Sequence, residues 1–176
     1  MYKKMNNNEE ILLKQIFTKP TYKFHIRELA KATKLNPNTI INISEKLIKE
    51  SILVKEKKKH ITEIFFNFEN KDAVIKKRIF NLSQIYKSGL VDFLAKECSP
   101  KAISIIGSYS KGEDIEKSDI DIVVVSEKEK SINMERFEKL LSRKIHLIIT
   151  NYKKMSEEFY INLINGMILY GYIDKK

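Results

Sequence analysis

The sequence has a single cysteine, three prolines and five glycines among 176 residues, and it has no long apolar run. The lone Cys98 excludes an internal disulfide, and no secretory signal pattern opens the chain. An intracellular, cytoplasmic protein is the expectation. No stretch approaches the roughly 20 apolar residues that span a bilayer, so no membrane segment is expected. No internal repeat is present, and the only low-complexity tract is Asn6 to Asn8. With 43% hydrophobic and 32% charged residues, the composition is globular rather than disordered.

Acidic residues are outnumbered, and the net charge is +10. Residues 1–70 carry 14 Lys/Arg against 8 Asp/Glu, so the first two-fifths of the chain hold more than half of the excess. Positive balance favours a polyanion such as nucleic acid; a solvated lysine-rich surface would read the same way.

The most informative stretch is residues 106–125. A Gly107-Ser108 turn follows an apolar strand over 102–106, and Asp119 and Asp121 flank Ile120 where a second apolar run begins. Residues i and i+2 of a strand share a face, so both carboxylates project together while Ile120, Ile122 and Val124 face a core. Two convergent carboxylates suit Mg²⁺ (or Mn²⁺), which is commonly completed by substrate phosphates. A Gly-Ser turn entering a helix presents backbone N–H groups to an anion. Together they describe a site for a metal-bound triphosphate. Lys111 either adds positive charge there or is a solvated loop lysine. Glu113, Asp114 and Glu116 read as solvated loop residues.

Gly107-Ser108, Tyr109-Ser-Lys-Gly-Glu113 and Ser118-Asp-Ile-Asp121 resemble the nucleotidyltransferase superfamily that includes DNA polymerase β, in particular its minimal members from archaea and bacteria. The resemblance implies an NTP substrate, metal at Asp119 and Asp121, and triphosphate at Gly107 and Ser108. It also implies a third carboxylate on a later strand, and here the sequence departs. In the strand over 145–149, Ile145, Leu147 and Ile149 alternate toward the core, and His146 takes the expected acidic slot. His146 is either a base near neutral pH or a ligand, or a solvent-facing residue of a degenerate site.

Upstream, the pattern gives helices over 9–17, 25–33 and 37–50, with Asn36 as N-cap and Pro37 in the first turn. Apolar strands over 52–54 and 61–68 follow, joined by a charged tip at 55–60. This order resembles a winged helix-turn-helix, in which the third helix enters the major groove and the wing touches phosphate. Asn38, Thr39, Asn42 and Lys46 are then candidates for base edges, and Lys57, Lys58 and Lys59 for phosphates. The Asn and Thr residues would equally well just start a helix. His60, without a Cys or His cluster nearby, reads as a solvated hairpin residue.

The expected fold is α+β: a winged helix-turn-helix at 1–70, a helical linker at 71–99, and a nucleotidyltransferase-like mixed sheet with flanking helices at 100–176. The last segment is expected to end in an amphipathic helix that includes Phe159, Leu163, Ile164, Met167 and Ile168. Two functions stay open. One is a DNA-binding nucleotidyltransferase moving an NMP to an unknown hydroxyl. The other is a transcription regulator whose second domain is a nucleotide sensor or dimerisation module. Double-stranded DNA, a homodimer and a protein acceptor are the expected partners. A toxin–antitoxin role is a third, minor possibility.

Overall fold

The computed structural model describes residues 6–58, 61–128 and 130–174. It divides into two compact units, Met1–Lys77 and Arg78–Lys176. The class is α+β, with one sheet of three strands and one of four. Among the described residues no helix is long and apolar enough to cross a membrane.

The first unit opens with α1 (Asn7–Thr18), then β1 (Phe24–His25), α2 (Ile26–Thr33), α3 (Pro37–Lys49), β2 (Leu53–Lys58) and β3 (Ile61–Phe66). Asn6 and Asn36 cap α1 and α3, each accepting from the backbone N–H two residues on, and this satisfies donors that a helix start leaves open. The sheet is antiparallel in the order β1-β3-β2. Leu12, Leu13, Ile16, Leu29, Ile40, Leu47, Ile64 and Phe66 are fully or nearly fully buried, and Phe17 meets Phe66 edge to face at 5.3 Å.

Two expectations change here. Residues 55–58 do not form part of a charged turn; they continue β2, where Lys55, Glu56, Lys57 and Lys58 pair with Ile64, Glu63, Thr62 and Ile61. An edge strand with solvent beside it tolerates charge that a core strand would not. Lys59 and His60 lie outside the described residues. His25, expected inside α2, instead ends β1 and stands as the residue before α2, its backbone N–H donating to the Glu28 carboxylate at 3.4 Å.

The boundary between the units falls within α4 (Lys71–Lys87). The second unit continues with α5 (Leu90–Cys98), β4 (Ala102–Ile106), α6 (Gly107–Lys111), β5 (Ile120–Val125), α7 (Glu135–Leu141), β6 (Ile145–Thr150), α8 (Glu157–Ile164) and β7 (Met167–Gly171). Residues 78–99, grouped with a linker in the sequence, supply Ile85, Leu90, Val91, Leu94 and Cys98 to the larger core of this unit. The sheet order is β6-β5-β4-β7; β4 is antiparallel to β5 and β7, and β5 is parallel to β6. A smaller core of Ala102, Val123, Val125, Met155 and Leu163 covers the opposite face.

The closing helix stops at Ile164, and Met167 and Ile168 lie on β7 against β4, not in the helix. Gly166 explains the switch. A Cβ there would sit 2.7 Å from Ile106 Cγ2, 2.8 Å from Ile105 O and 2.9 Å from Ser104 Oγ. Only a residue without a side chain lets the chain cross β4 that closely.

Candidate nucleotide site

The candidate residues of the second unit gather at one end of the four-stranded sheet, where β4 ends and β5 and β6 begin. The register pairs Ile106 with Asp121 across β4 and β5, and Asp121 with His146 across β5 and β6. Ile120, Ile122 and Val124 are fully buried, while Asp119 is exposed and Asp121 half-buried. The alternation therefore sends both aspartates away from the core.

Asp121 is the centre of the cluster. Its Oδ1 lies 3.0 Å from His146 Nδ1. Its other oxygen lies against Gly107, whose added Cβ would come within 2.7 Å of Oδ2. Gly107 also holds φ at +72°, a conformation side-chain-bearing residues avoid. The glycine is thus needed twice, for the turn out of β4 and for the seat of the carboxylate. Ser108 follows, half-buried, and its carbonyl accepts from Glu113 N–H at 3.0 Å. Lys111 is exposed in the last turn of α6.

Asp119 is delivered by a short tied connection. Ile115 N–H donates to Ser118 Oγ at 3.0 Å, and Ile120 N–H to Lys144 O at 2.8 Å. Glu138 accepts from Ile145 N–H and from Lys144 Nζ, both at 3.0 Å. Those bonds, the backbone one first, hold its carboxyl below the usual range. The same pair raises Lys144, with the more distant Asp119 adding to it. A hollow of about 510 Å³, lined among others by Lys117, Ser118, Asp119, Lys139 and Lys144, opens beside Asp119.

One expectation about this region is corrected. Asp114 is not a solvated loop residue: it is completely buried, bonded to Asn81 at 2.8 Å and ion-paired with Arg143 at 3.3 Å. An acidic residue in an acidic loop gives no sequence signal of this, because its partners lie 33 and 29 positions away. Glu113 is exposed and Glu116 half-buried.

The remaining candidates lie in the first unit. Asn38 and Asn42 are exposed on α3, Thr39 is half-buried, and Lys57 is exposed on β2. Lys58 is placed on β2 by its backbone, and Lys59 falls outside the described residues. Lys46 is already engaged: its ammonium lies 2.5 Å from Glu9, a carboxylate with 6% of its side chain exposed, which Lys76 also meets at 3.2 Å.

Residues 87–170 match the family model of a nucleotidyltransferase domain. The mixed α+β unit is consistent with that fold, and a match of this kind suggests an NTP substrate and NMP transfer. A crystal structure at 1.40 Å, described as that of a "putative nucleotidyltransferase" from Sulfolobus solfataricus, is similar over 59% of this chain and 92% of its own, with 18% identity and a TM-score of 0.35. No curated protein matches the chain.

Proposed function

We propose that the second unit transfers a nucleotidyl group from an NTP to an acceptor hydroxyl, using Asp119, Asp121, Gly107, Ser108 and His146. The observation that carries this is Asp121, seated on Gly107 and paired with His146, with a second carboxylate two positions earlier, just before β5.

The donor set fits a hard divalent cation. Among the described residues no group of three His, Cys, Asp or Glu could hold a metal ion by itself. Two carboxylates on one face suit Mg²⁺ or Mn²⁺ shared with substrate phosphates. Bound there, the cation would offset the charge of the triphosphate and of the leaving pyrophosphate. The backbone amides that open α6, with Ser108 Oγ and Lys111, orient the phosphates. A carboxylate only accepts, so the proton of this pair sits on His146 Nδ1, and in the neutral imidazole Nε2 carries the lone pair. His146 then takes the acceptor's proton as the acceptor oxygen bonds to the α-phosphorus and the bond to pyrophosphate breaks. In this reading residues 1–70 form a winged helix-turn-helix that binds duplex DNA, with α3 in the major groove and β2–β3 as the wing.

A second reading has its own observation. With no third carboxylate beside Asp119 and Asp121 among the described residues, the unit would bind nucleotide and not turn it over, and would act as a sensor for a DNA-binding regulator. Titration of each NTP with Mg²⁺ or Mn²⁺ against the full chain, beside the Asp119→Ala, Asp121→Ala double variant, tests the shared claim. Cation-dependent binding lost in the variant is the expected result; binding that survives would remove these residues from the site. Product formation with candidate acceptors then separates enzyme from sensor.

A further inference from the structure

Four stretches of the second unit meet at one buried side chain. Asp114 has no exposed surface. One carboxylate oxygen accepts from Asn81 Nδ2 at 2.8 Å, and the other pairs with the Arg143 guanidinium at 3.3 Å. Asn81 Nδ2 also donates to Tyr109 O in α6 at 3.1 Å, and Arg143 donates to Glu116 O at 3.2 Å. Asn81 and Arg143 are themselves 4% and 8% exposed. The network therefore ties α4, α6, the connection over 113–119 and the residues before β6 to one another.

Three of those stretches carry the candidate site. Gly107 and Ser108 open α6, Asp119 ends the connection, and His146 stands three residues after Arg143. A buried ion pair adds little net stability compared with apolar packing of the same volume, because its desolvation cancels most of the attraction. What it supplies is fixed geometry: a carboxylate with two directed partners has one arrangement. Ligand cannot reach Asp114, so it acts through the segments it holds.

We propose that Asp114 is a positioning residue, which with Asn81 and Arg143 sets the Gly107-Ser108 turn, Asp119 and His146 at the mutual spacing that a metal-bound triphosphate needs. The functional half of this rests on the nucleotide-site reading above.

The test uses the full chain with Asp114→Asn, Asn81→Ala, Arg143→Gln and the Asp114→Asn, Arg143→Gln double variant. Leu94→Ala, in the core and making none of the network's hydrogen bonds, is the destabilised control, compared at its measured urea midpoint. Asp114→Asn sets an amide against the guanidinium. Without nucleotide, amide hydrogen exchange should rise together over 107–112, 115–121 and 145–147, and stay unchanged over 157–171. Affinity for the Mg²⁺-bound NTP should fall about tenfold or more, because small misplacements of a preorganised site are costly. The double variant should recover part of it, since it also removes the buried guanidinium that Asp114→Asn leaves without a counter-charge. Leu94→Ala should keep wild-type affinity within about twofold.

Exchange confined to 113–118, or wild-type affinity in Asp114→Asn, or an equal loss in Leu94→Ala, would overturn the proposal. If Asp114→Asn does not fold, Asn81→Ala decides: it cuts the bonds from α4 to Asp114 and to Tyr109 O and leaves the Asp114–Arg143 pair in place, and exchange must rise over 107–112 first. Absence of NTP binding in the wild type would sink the nucleotide-site reading itself, while the exchange pattern would still show whether Asp114 couples the segments.

Discussion

Replacing Gly107 with alanine separates two effects that usually come together, because the chain contains its own control. Gly107 has φ +72° and Gly89 has φ +75°, nearly the same left-handed backbone. Alanine in that region costs roughly 1–2 kcal/mol. At Gly89 nothing lies within 4 Å of the added Cβ, so the backbone cost is the whole effect. At Gly107 the methyl group would be 2.7 Å from Asp121 Oδ2, and the carboxylate must turn away. Forcing it off its rotamer costs roughly 0.5–1.5 kcal/mol. Losing the His146 hydrogen bond adds about 0.5–1 kcal/mol, at the low end because His146 is exposed. Gly107→Ala should therefore be less stable than Gly89→Ala by about 1–2.5 kcal/mol. In a unit of this size that is a difference in Tm of roughly 5–15 °C. Thermal unfolding of the full chain, fitted as two transitions because two units need not melt together, measures it. NTP affinity should drop in Gly107→Ala and hold in Gly89→Ala. Equal melting and equal affinity in the two variants would show that Asp121 does not rest on Gly107.

Three other outcomes follow from described contacts. Burial opposes ionisation of Glu9, yet its bonds to Lys46 and Lys76 hold its carboxyl below the usual range. A depressed carboxylate stabilises above its unfolded pKa, about 4.3, and that share is lost as pH falls through the lower folded value. Acid titration of the first unit's stability should show this loss, and Glu9→Gln should flatten it. Lys46→Ala should lower the stability of the first unit by about 1–3 kcal/mol in urea, since it strips a partner from a buried carboxylate, whereas Asn42→Ala should leave stability within about 0.5 kcal/mol. In duplex binding at two salt concentrations, Asn42→Ala should weaken one sequence selectively and Lys57→Ala should weaken all duplexes with a smaller salt slope; identical behaviour of the two would argue against the base-reading role.

Much of the second unit is legible in the sequence because its signals are local. The run of Ile and Val around Asp119 and Asp121 fixes both the strand and the face on which the carboxylates stand, and the alternation in 145–149 places His146 beside them. The misreadings share a cause. β1 is two residues long and exists only because β3 lies next to it, so no periodicity reveals it. Residues 167–168 have the spacing of a helix face, but the approach of Gly166 to β4 decides their fate, and that approach is tertiary. Asp114 reads as one acidic loop residue among several until Asn81 and Arg143 are brought to it. Lys46, a base-edge candidate by its position on α3, also meets Glu9, 37 positions earlier, a contact no local pattern shows.

The late arrival of β7 has a consequence for how the protein is made. Strand β4 has β5 on one side, which follows it by only a few residues past α6 and a short connection, but its other neighbour begins at Met167. During synthesis the flank of β4 that pairs with β7 must wait for some sixty further residues to leave the ribosome. The first unit is complete long before that. A nascent chain therefore passes through a stage in which one half is folded and the other shows an open sheet edge, and that stage is where a chaperone, or aggregation, would find it.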